Sequence, residues 1–91
     1  MALALYFKPR GFTPAKYDET LARLEAAGAG APAGRLYHAA FEIDGLIHVF
    51  DVWESHETFE AFGATLLPIM GELEVDPGQP EVAPVHNTIL G

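Results

Sequence analysis

The stretch that decides the fold is residues 45–62, GLIHVFDVWESHETFEAF. Its first part, Leu46 to Trp53, is rich in β-branched and aromatic residues and lacks glycine and proline, which predicts a strand. Apolar residues fall on both faces of this strand, so we expect both faces to be covered. Ser55 then predicts the start of a helix, because its hydroxyl can accept a hydrogen bond from the first helical turn.

The helix that follows should bury one face. Apolar residues recur along it at helical spacing. Pro68 is expected to kink it, because proline has no amide hydrogen to donate. The residues of the predicted buried face are Phe59, Phe62, Leu66, Ile69, Met70 and Leu73.

The rest of the chain supplies three strands and one helix. Pro84 predicts that the last strand lies at a sheet edge, because proline cannot donate to a strand ladder. The order βαββαβ predicts a ferredoxin-like α+β fold with a four-stranded antiparallel sheet, in a single domain of residues 1–91. The expected elements are strands at 2–8, 35–42 and 81–90, and a helix that opens at Thr13-Pro14 and stops at Gly28, with Tyr17, Leu21 and Leu24 on its buried face.

The turn at Asp44–Gly45 sets the register of the central hairpin. Both residues tolerate positive φ, so a two-residue loop is expected. His38 then lies opposite Asp51, with the two Cβ atoms about 5 Å apart. On the same face Leu36 lies opposite Trp53. A three-residue loop would break this pairing.

His38 and Asp51 are the candidate catalytic residues. A carboxylate beside a histidine fixes the imidazole tautomer and stabilises the protonated ring, as a general base requires. In this interpretation His38 is the base and Asp51 orients it. The alternative is a structural cross-strand pair in a half-buried sheet. No serine or cysteine stands out beside them, so a nucleophilic triad is not expected.

Composition limits the classes of partner. The chain of 91 residues is 49% hydrophobic and has a net charge of −8, with 5 Lys+Arg against 13 Asp+Glu. This negative charge argues against nucleic acid or an anionic membrane as the main partner. So large an apolar share in a small domain predicts that some apolar surface meets a second subunit or a ligand.

Metal and disulfide chemistry find little support in the sequence. There is no cysteine, so neither a disulfide nor a thiolate metal site is expected. His38, Asp51 and His86 could together form a facial metal site, but no HxH or HExxH spacing supports it, and we predict no metal and no cofactor.

The first apolar run, residues 1–7, is too short for a signal peptide or a membrane span, so a cytoplasmic protein is expected.

The chain resembles the dimeric α/β-barrel superfamily, and most of all its small antibiotic-biosynthesis-monooxygenase-type proteins. The resemblance covers nearly the whole chain. It rests on the element order, on the junction DVWES at 51–55 with Glu57 and Phe59 following, and on PVHN at 84–87. It implies a homodimer in which two four-stranded sheets pack face to face, with a pocket in each subunit between sheet and helices.

The resemblance implies several activities rather than one. Some relatives oxidise polycyclic phenols with O2 and no cofactor, whereas others bind or degrade haem, isomerise small lactones, or have no known activity. The monooxygenases often have a tryptophan near Trp53. Some carry a histidine on the second helix, in the region where this chain has Phe62. This departure weakens the case for haem ligation and for the familiar oxygenase site.

Two functions follow from these observations. The first is a homodimeric domain that binds a small apolar or aromatic ligand, with a cofactor-independent monooxygenase-like or isomerase-like activity on an aromatic or polyketide-type substrate as its enzymatic form. The second is a non-catalytic dimerisation or regulatory module. A cavity on the order of a few hundred Å³ lined by His38 and Trp53 favours the first, and a solidly packed layer favours the second. The expected ligand contacts are Trp53, Tyr6, Phe62, His86 and Asn87, although consecutive strand residues point to opposite faces, so that only one of the last two can enter a given pocket.

Overall fold

The structure, a computed structural model, describes residues 2–91 and contains four strands and two helices in the predicted order βαββαβ. Met1, which begins the predicted domain and its first apolar run, lies outside the described residues. The strands form one antiparallel sheet in the order β2-β3-β1-β4, which is the predicted ferredoxin-like α+β fold. The elements are β1 (Leu3–Phe7), α1 (Pro14–Ala26), β2 (Arg35–Ile43), β3 (Leu46–Trp53), α2 (His56–Glu72) and β4 (Glu81–Pro84).

Both helices begin at the predicted hydroxyl caps. The Thr13 hydroxyl accepts a hydrogen bond from the Lys16 amide at 3.2 Å, and the Ser55 hydroxyl accepts one from the Thr58 amide at 3.2 Å. Each bond satisfies an amide that the first turn of a helix otherwise leaves unpaired. Pro68 lies inside α2, which continues beyond it for one more turn.

β4 lies at a sheet edge, as Pro84 predicts, but it is shorter than expected. It ends at Pro84, and residues 85–91 form no regular element. The reason is the end of its partner strand, because β1 begins at Leu3, directly opposite Pro84. His86 and Asn87 therefore do not lie on a strand.

The β2–β3 hairpin has the predicted two-residue turn, with φ of 52° at Asp44 and 80° at Gly45. Its register is as predicted from the pair Ile43–Leu46 back to the pair Tyr37–Val52. His38 therefore lies opposite Asp51.

The predicted register is wrong at the start of β2, because a β-bulge interrupts the pairing there. It lies between Arg35 and Tyr37, so that Trp53 faces Arg35 and not Leu36. The inserted residue, Leu36, is 60% exposed. A bulge turns the side chains before it to the other face of the sheet, and this one brings Arg35 to the face of Asp51 and Trp53.

The two faces of the sheet differ in what covers them. Both helices pack on the covered face, which carries Leu5, His38, Val49, Asp51 and Trp53. The opposite, open face carries Tyr6, Tyr37, Phe41, His48 and Phe50. Neither α1 nor α2 covers the open face, and Phe41 is 40% exposed there. On the open face of β3, Val52 is buried and His48 and Phe50 are half-buried. This face is therefore only partly covered within the single chain, because both crossover helices pack on the other side.

The apolar core of the covered face is split into two clusters. α2 contributes to both, and its predicted buried face is confirmed by its three buried residues. The first cluster is Leu5, Leu24, Trp53, Phe62 and Ile69. The second cluster is Phe12, Ile47, Val49, Met70 and Val75.

Candidate functional site

A cavity of about 470 Å³ lies between the covered face and the two helices. Residues of both core clusters line it, so the layer between sheet and helices is not packed solid. The apolar lining includes Phe7, Phe12, Leu24, Val49, Phe59, Phe62, Leu66 and Met70. The polar and charged residues that line it are Tyr17, Thr20, Arg35, His38, Asp51 and Glu60.

Asp51 is held in one orientation among the polar residues that line the cavity. Its side chain is almost fully buried, and the residue is 5% exposed. His38 Nδ1–H donates to Oδ1 at 2.6 Å, and the indole N–H of Trp53 donates to Oδ2 at 3.2 Å. Because both oxygens accept a hydrogen bond, the carboxylate is held in one orientation. The structure thus brings together the two residues that the sequence predicts to be catalytic.

Tyr17 extends this pair into a chain of three side chains. Its hydroxyl lies 2.7 Å from His38 Nε2, and the two rings are nearly parallel, at 3°. Since Nδ1 gives its hydrogen to the carboxylate, Nε2 of the neutral ring is an acceptor and the Tyr17 hydroxyl donates to it. The order is therefore Tyr17 to His38 to Asp51.

Burial governs the acidity of Tyr17. Desolvation raises the pKa of its phenol above the ordinary value of 10.0, and the negative charges of Asp51 and Asp18 add to the rise. The positive charge of Arg35 lowers the pKa by less than burial raises it. Tyr17 is therefore a neutral phenol at physiological pH.

Arg35 places a positive charge at the wall of this cavity in a chain that is strongly acidic overall. Its guanidinium carbon lies 5.8 Å from the centre of the Phe62 ring. Its Nη2 donates to the Gly30 carbonyl at 3.4 Å. Arg35 is not predicted as a site residue from the sequence, because an unbroken register places it on the open face and only the bulge brings it to the covered face.

Gly34 fixes the start of the bulged segment. Its φ is +86°, and a Cβ atom built on it would lie 2.5 Å from the Thr58 side chain. Its carbonyl accepts a hydrogen bond from the Glu54 amide at 2.8 Å. Only glycine combines this conformation with so close an approach, so the entry into β2 is tied to the start of α2.

The other predicted ligand contacts lie in different places. Phe62 lines the cavity. Trp53 is completely buried, at 0% exposure, and is not among the lining residues; it packs against Phe59 and Phe62 and supports Asp51 instead. Tyr6 lies on the open face, where its hydroxyl is 2.9 Å from His48 Nδ1.

His86 and Asn87 are not brought to the site of His38. With the rest of the C-terminal segment they line a second, more open cavity against Tyr37 and Phe50 of the open face. Within residues 2–91 no group of three or more His, Asp or Glu side chains is placed to hold a metal ion. In the same range no helix is long and apolar enough to cross a membrane.

Comparison with known proteins gives matches in structure and none in sequence. No protein-family model matches the chain, and neither does any curated protein sequence. A protein provisionally assigned as an antibiotic biosynthesis monooxygenase, from Chloroflexus aurantiacus, matches with a TM-score of 0.65 and 19% identity over 100% of both chains. SnoaB, a cofactor-independent oxygenase from Streptomyces nogalater, matches with a TM-score of 0.61 and 20% identity over 97% of this chain and 94% of its own.

A protein of unknown function from Nitrosomonas europaea also has this fold. It matches with a TM-score of 0.60 and 16% identity over 99% of this chain and 92% of its own. At such identities the likeness establishes the fold. The chain therefore has the fold of the antibiotic-biosynthesis-monooxygenase-like proteins, which confirms the fold that the resemblance implies.

Proposed function

We propose that the chain binds a small aromatic or polyketide-type molecule in the cavity of the covered face and acts on it as an oxygenase-like or isomerase-like enzyme. The observation that carries this proposal is the His38–Asp51 pair, held at 2.6 Å at the wall of a mostly apolar cavity. A cavity of this kind suits a flat apolar ligand with one polar edge, roughly two or three fused rings in size.

The chemistry begins with removal of a proton from the ligand. The proton goes to the imidazole of His38, and the resulting imidazolium is stabilised by the Asp51 carboxylate. The ligand becomes an electron-rich anion. In the isomerase-like form the anion takes a proton back at another carbon. In the oxygenase-like form it reduces O2. One oxygen atom enters the product as a carbonyl, the other leaves as water with the two hydrogens of the oxidised carbon, and His38 gives back the proton that it took.

The structural matches support the oxygenase-like form. SnoaB is a cofactor-independent oxygenase of the same fold, and such an enzyme depends on its substrate to reduce O2. A shared fold does not by itself carry a shared reaction. The main support for the proposed activity is therefore the geometry of the His38–Asp51 pair.

The proposal is tested by ligand binding in a matched pair of histidine variants. 2-Naphthol is the probe, followed by its fluorescence, with O2 consumption measured in parallel on hydroxylated anthrones. His38→Ala should weaken probe binding at least tenfold, about 1.4 kcal/mol, and abolish any turnover. His48→Ala removes the histidine of the open face and should change neither. Binding and turnover that survive His38→Ala would contradict the proposal.

We also propose that the open face packs against a second copy of the chain. It exposes a row of large apolar side chains, and an apolar surface of this kind is characteristic of interfaces. The resemblance implies the same homodimer. The exposed side chains are those of Tyr37, Phe41, Ile43 and Leu46.

Native mass spectrometry tests the homodimer. The wild-type chain should be a dimer, and Phe41→Arg should convert it to a monomer, because a charge is costly to bury in an apolar interface. Ala61→Arg, on the exposed side of α2, is the control and should stay dimeric. A dimer that binds none of the aromatic probes would favour the alternative function, a non-catalytic dimerisation module.

A further inference from the structure

We propose that Tyr17 is the residue that takes the proton from the ligand, passing its own proton to His38 in the same step. The inference rests on the proposed function, and it assigns the direct contact with the ligand to a residue of α1 rather than to the histidine. Tyr17 lines the cavity, and its hydroxyl donates to His38 Nε2.

Both ring nitrogens of His38 are already engaged in hydrogen bonds. Its Nδ1 is held by Asp51 at 2.6 Å and its Nε2 by Tyr17 at 2.7 Å. An imidazole has only these two nitrogens, so no ring nitrogen is left for a ligand. A bound molecule reaches the pair through the Tyr17 hydroxyl, unless it first displaces that hydroxyl.

The hydroxyl of Tyr17 has the acceptor capacity that this role needs. A phenol oxygen can donate one hydrogen bond and accept others. Its donor is used on His38, and within residues 2–91 that is its one hydrogen bond. A ligand O–H in the cavity can therefore donate to the Tyr17 oxygen while the tyrosine still donates to the histidine.

The transfer balances without any added reagent. The ligand O–H bond breaks and its proton forms a new O–H bond on Tyr17. The original Tyr17 O–H bond breaks, and that proton forms an N–H bond at His38 Nε2. The products are a ligand oxyanion, an unchanged neutral tyrosine, and an imidazolium paired with Asp51.

Charges around the site favour this concerted transfer over a tyrosinate base. Burial raises the pKa of Tyr17, so a free tyrosinate is disfavoured and the tyrosine works while it stays neutral. The charge of Arg35 acts on Tyr17 strongly enough to lower that pKa in part. The same positive charge stabilises a ligand oxyanion that forms beside the hydroxyl.

The test measures the ionisation of a bound probe. 2-Naphthol absorbs and fluoresces differently as phenol and as naphtholate, so a pH titration gives the ionisation midpoint of the bound molecule. In the wild-type protein we expect this midpoint about one pH unit or more below that of free 2-naphthol. In Tyr17→Phe, which keeps the ring, the probe should bind within about threefold of wild type, but its ionisation midpoint should move back towards that of the free molecule.

Three controls separate the possible outcomes. Tyr6→Phe, the equivalent change on the open face, should keep the wild-type midpoint, and thermal unfolding should show that both variants are folded. 2-Methoxynaphthalene has no proton to lose and should bind wild type and Tyr17→Phe alike.

A Tyr17→Phe protein that keeps the lowered midpoint would overturn the inference, because His38 would then act on the ligand directly. Loss of 2-methoxynaphthalene binding in this variant would also overturn it, since the hydroxyl would then shape the cavity. Both results leave the proposed function standing. Failure of the wild-type protein to bind either probe would overturn the proposed function and the inference together.

Discussion

The two faces of the sheet each carry a tyrosine–histidine pair, and the pairs differ in what lies behind the histidine. On the covered face Tyr17 and His38 are 2.7 Å apart, and Asp51 holds the second ring nitrogen. On the open face Tyr6 and His48 are 2.9 Å apart, and in the described part of the chain no carboxylate pairs with that histidine. On the covered face the tyrosine and the histidine thus belong to a hydrogen-bonded chain of three side chains, whereas on the open face they form a single contact.

The surroundings of the two pairs explain the difference. The covered pair lies at a cavity whose walls are largely apolar, and the carboxylate behind its histidine is buried. The open pair lies among exposed aromatic rings, with Phe41 beside both Tyr6 and His48. A buried carboxylate and a cavity make the covered pair suited to chemistry, whereas the open pair has the setting of an interface.

The largest expected effect is the loss of stability on removing the carboxylate of Asp51, which holds the histidine of the covered pair. Asp51→Ala leaves the donors of His38 and Trp53 without a partner, and one of them is fully buried. Leaving buried donors unsatisfied should cost about 3 kcal/mol of unfolding free energy in urea denaturation. His48→Ala on the open face should cost less than about 1 kcal/mol. Equal losses would remove the distinction between the pairs.

Filling the cavity should abolish ligand binding with little loss of fold. Gly63 of α2 lines the cavity, and a Cβ atom built there meets no heavy atom within 4 Å. Gly63→Leu should therefore weaken 2-naphthol binding more than tenfold. Gly71→Leu, at an exposed glycine of the same helix that does not line the cavity, is the matched control. Both variants gain helix propensity, so a Gly63→Leu protein that still binds the probe would place the ligand elsewhere.

The His38–Asp51 pair could be predicted from the sequence because its placement depends on local rules. The turn at Asp44–Gly45 admits one hairpin register, and alternation then places His38 opposite Asp51 on one face. The same rules place Arg35 on the open face, which is wrong. A bulge is set by how the strand meets the loop at Gly34 and the start of α2, which are contacts that no local pattern encodes.

Tyr17 shows a different limit of sequence reasoning. The spacing of Tyr17, Leu21 and Leu24 predicted a buried face of α1. Leu24 is buried there, whereas Leu21 lines the cavity but is 39% exposed. A half-buried tyrosine needs a partner for its hydroxyl. The identity of that partner depends on how α1 lies across the sheet. Trp53 was expected to touch a ligand because aromatic residues often do, yet its complete burial makes it part of the frame that holds Asp51.

Removing one hydroxyl from each pair gives a smaller and closely matched comparison. Tyr17→Phe loses a hydrogen bond to a histidine that Asp51 holds and should lower the unfolding free energy by about 1 kcal/mol. Tyr6→Phe loses one to a histidine that no carboxylate of the described residues holds, and should cost about half as much or less. Urea denaturation of both variants at neutral pH measures the difference. A larger loss for Tyr6→Phe would mean that the carboxylate does not strengthen the covered pair.

The smallest expected effect is the pH dependence that Tyr17 confers. In the unfolded chain a tyrosine ionises near pH 10.0, and in the folded chain burial raises the pKa of Tyr17. Between the two pKa values the unfolded chain has released a proton that the folded chain keeps, so stability falls as the pH rises through this window. Tyr17→Phe should therefore flatten the alkaline part of the stability curve, measured by urea unfolding from about pH 8 to 11.

Replacing Arg35 should strengthen the pH dependence that Tyr17→Phe removes. Its charge lowers the pKa of Tyr17, whereas Asp51 and Asp18 raise it, and His38 accepts the hydrogen bond of the phenol. Arg35→Met should leave burial and the carboxylates unopposed, raise the pKa further and enlarge the alkaline loss. An Arg35→Met curve that matches wild type would mean that the guanidinium does not act on Tyr17. The bulge would then not deliver a positive charge to the site, and a ligand oxyanion there would have to be stabilised by the hydrogen bond of Tyr17 and the imidazolium of His38 behind it.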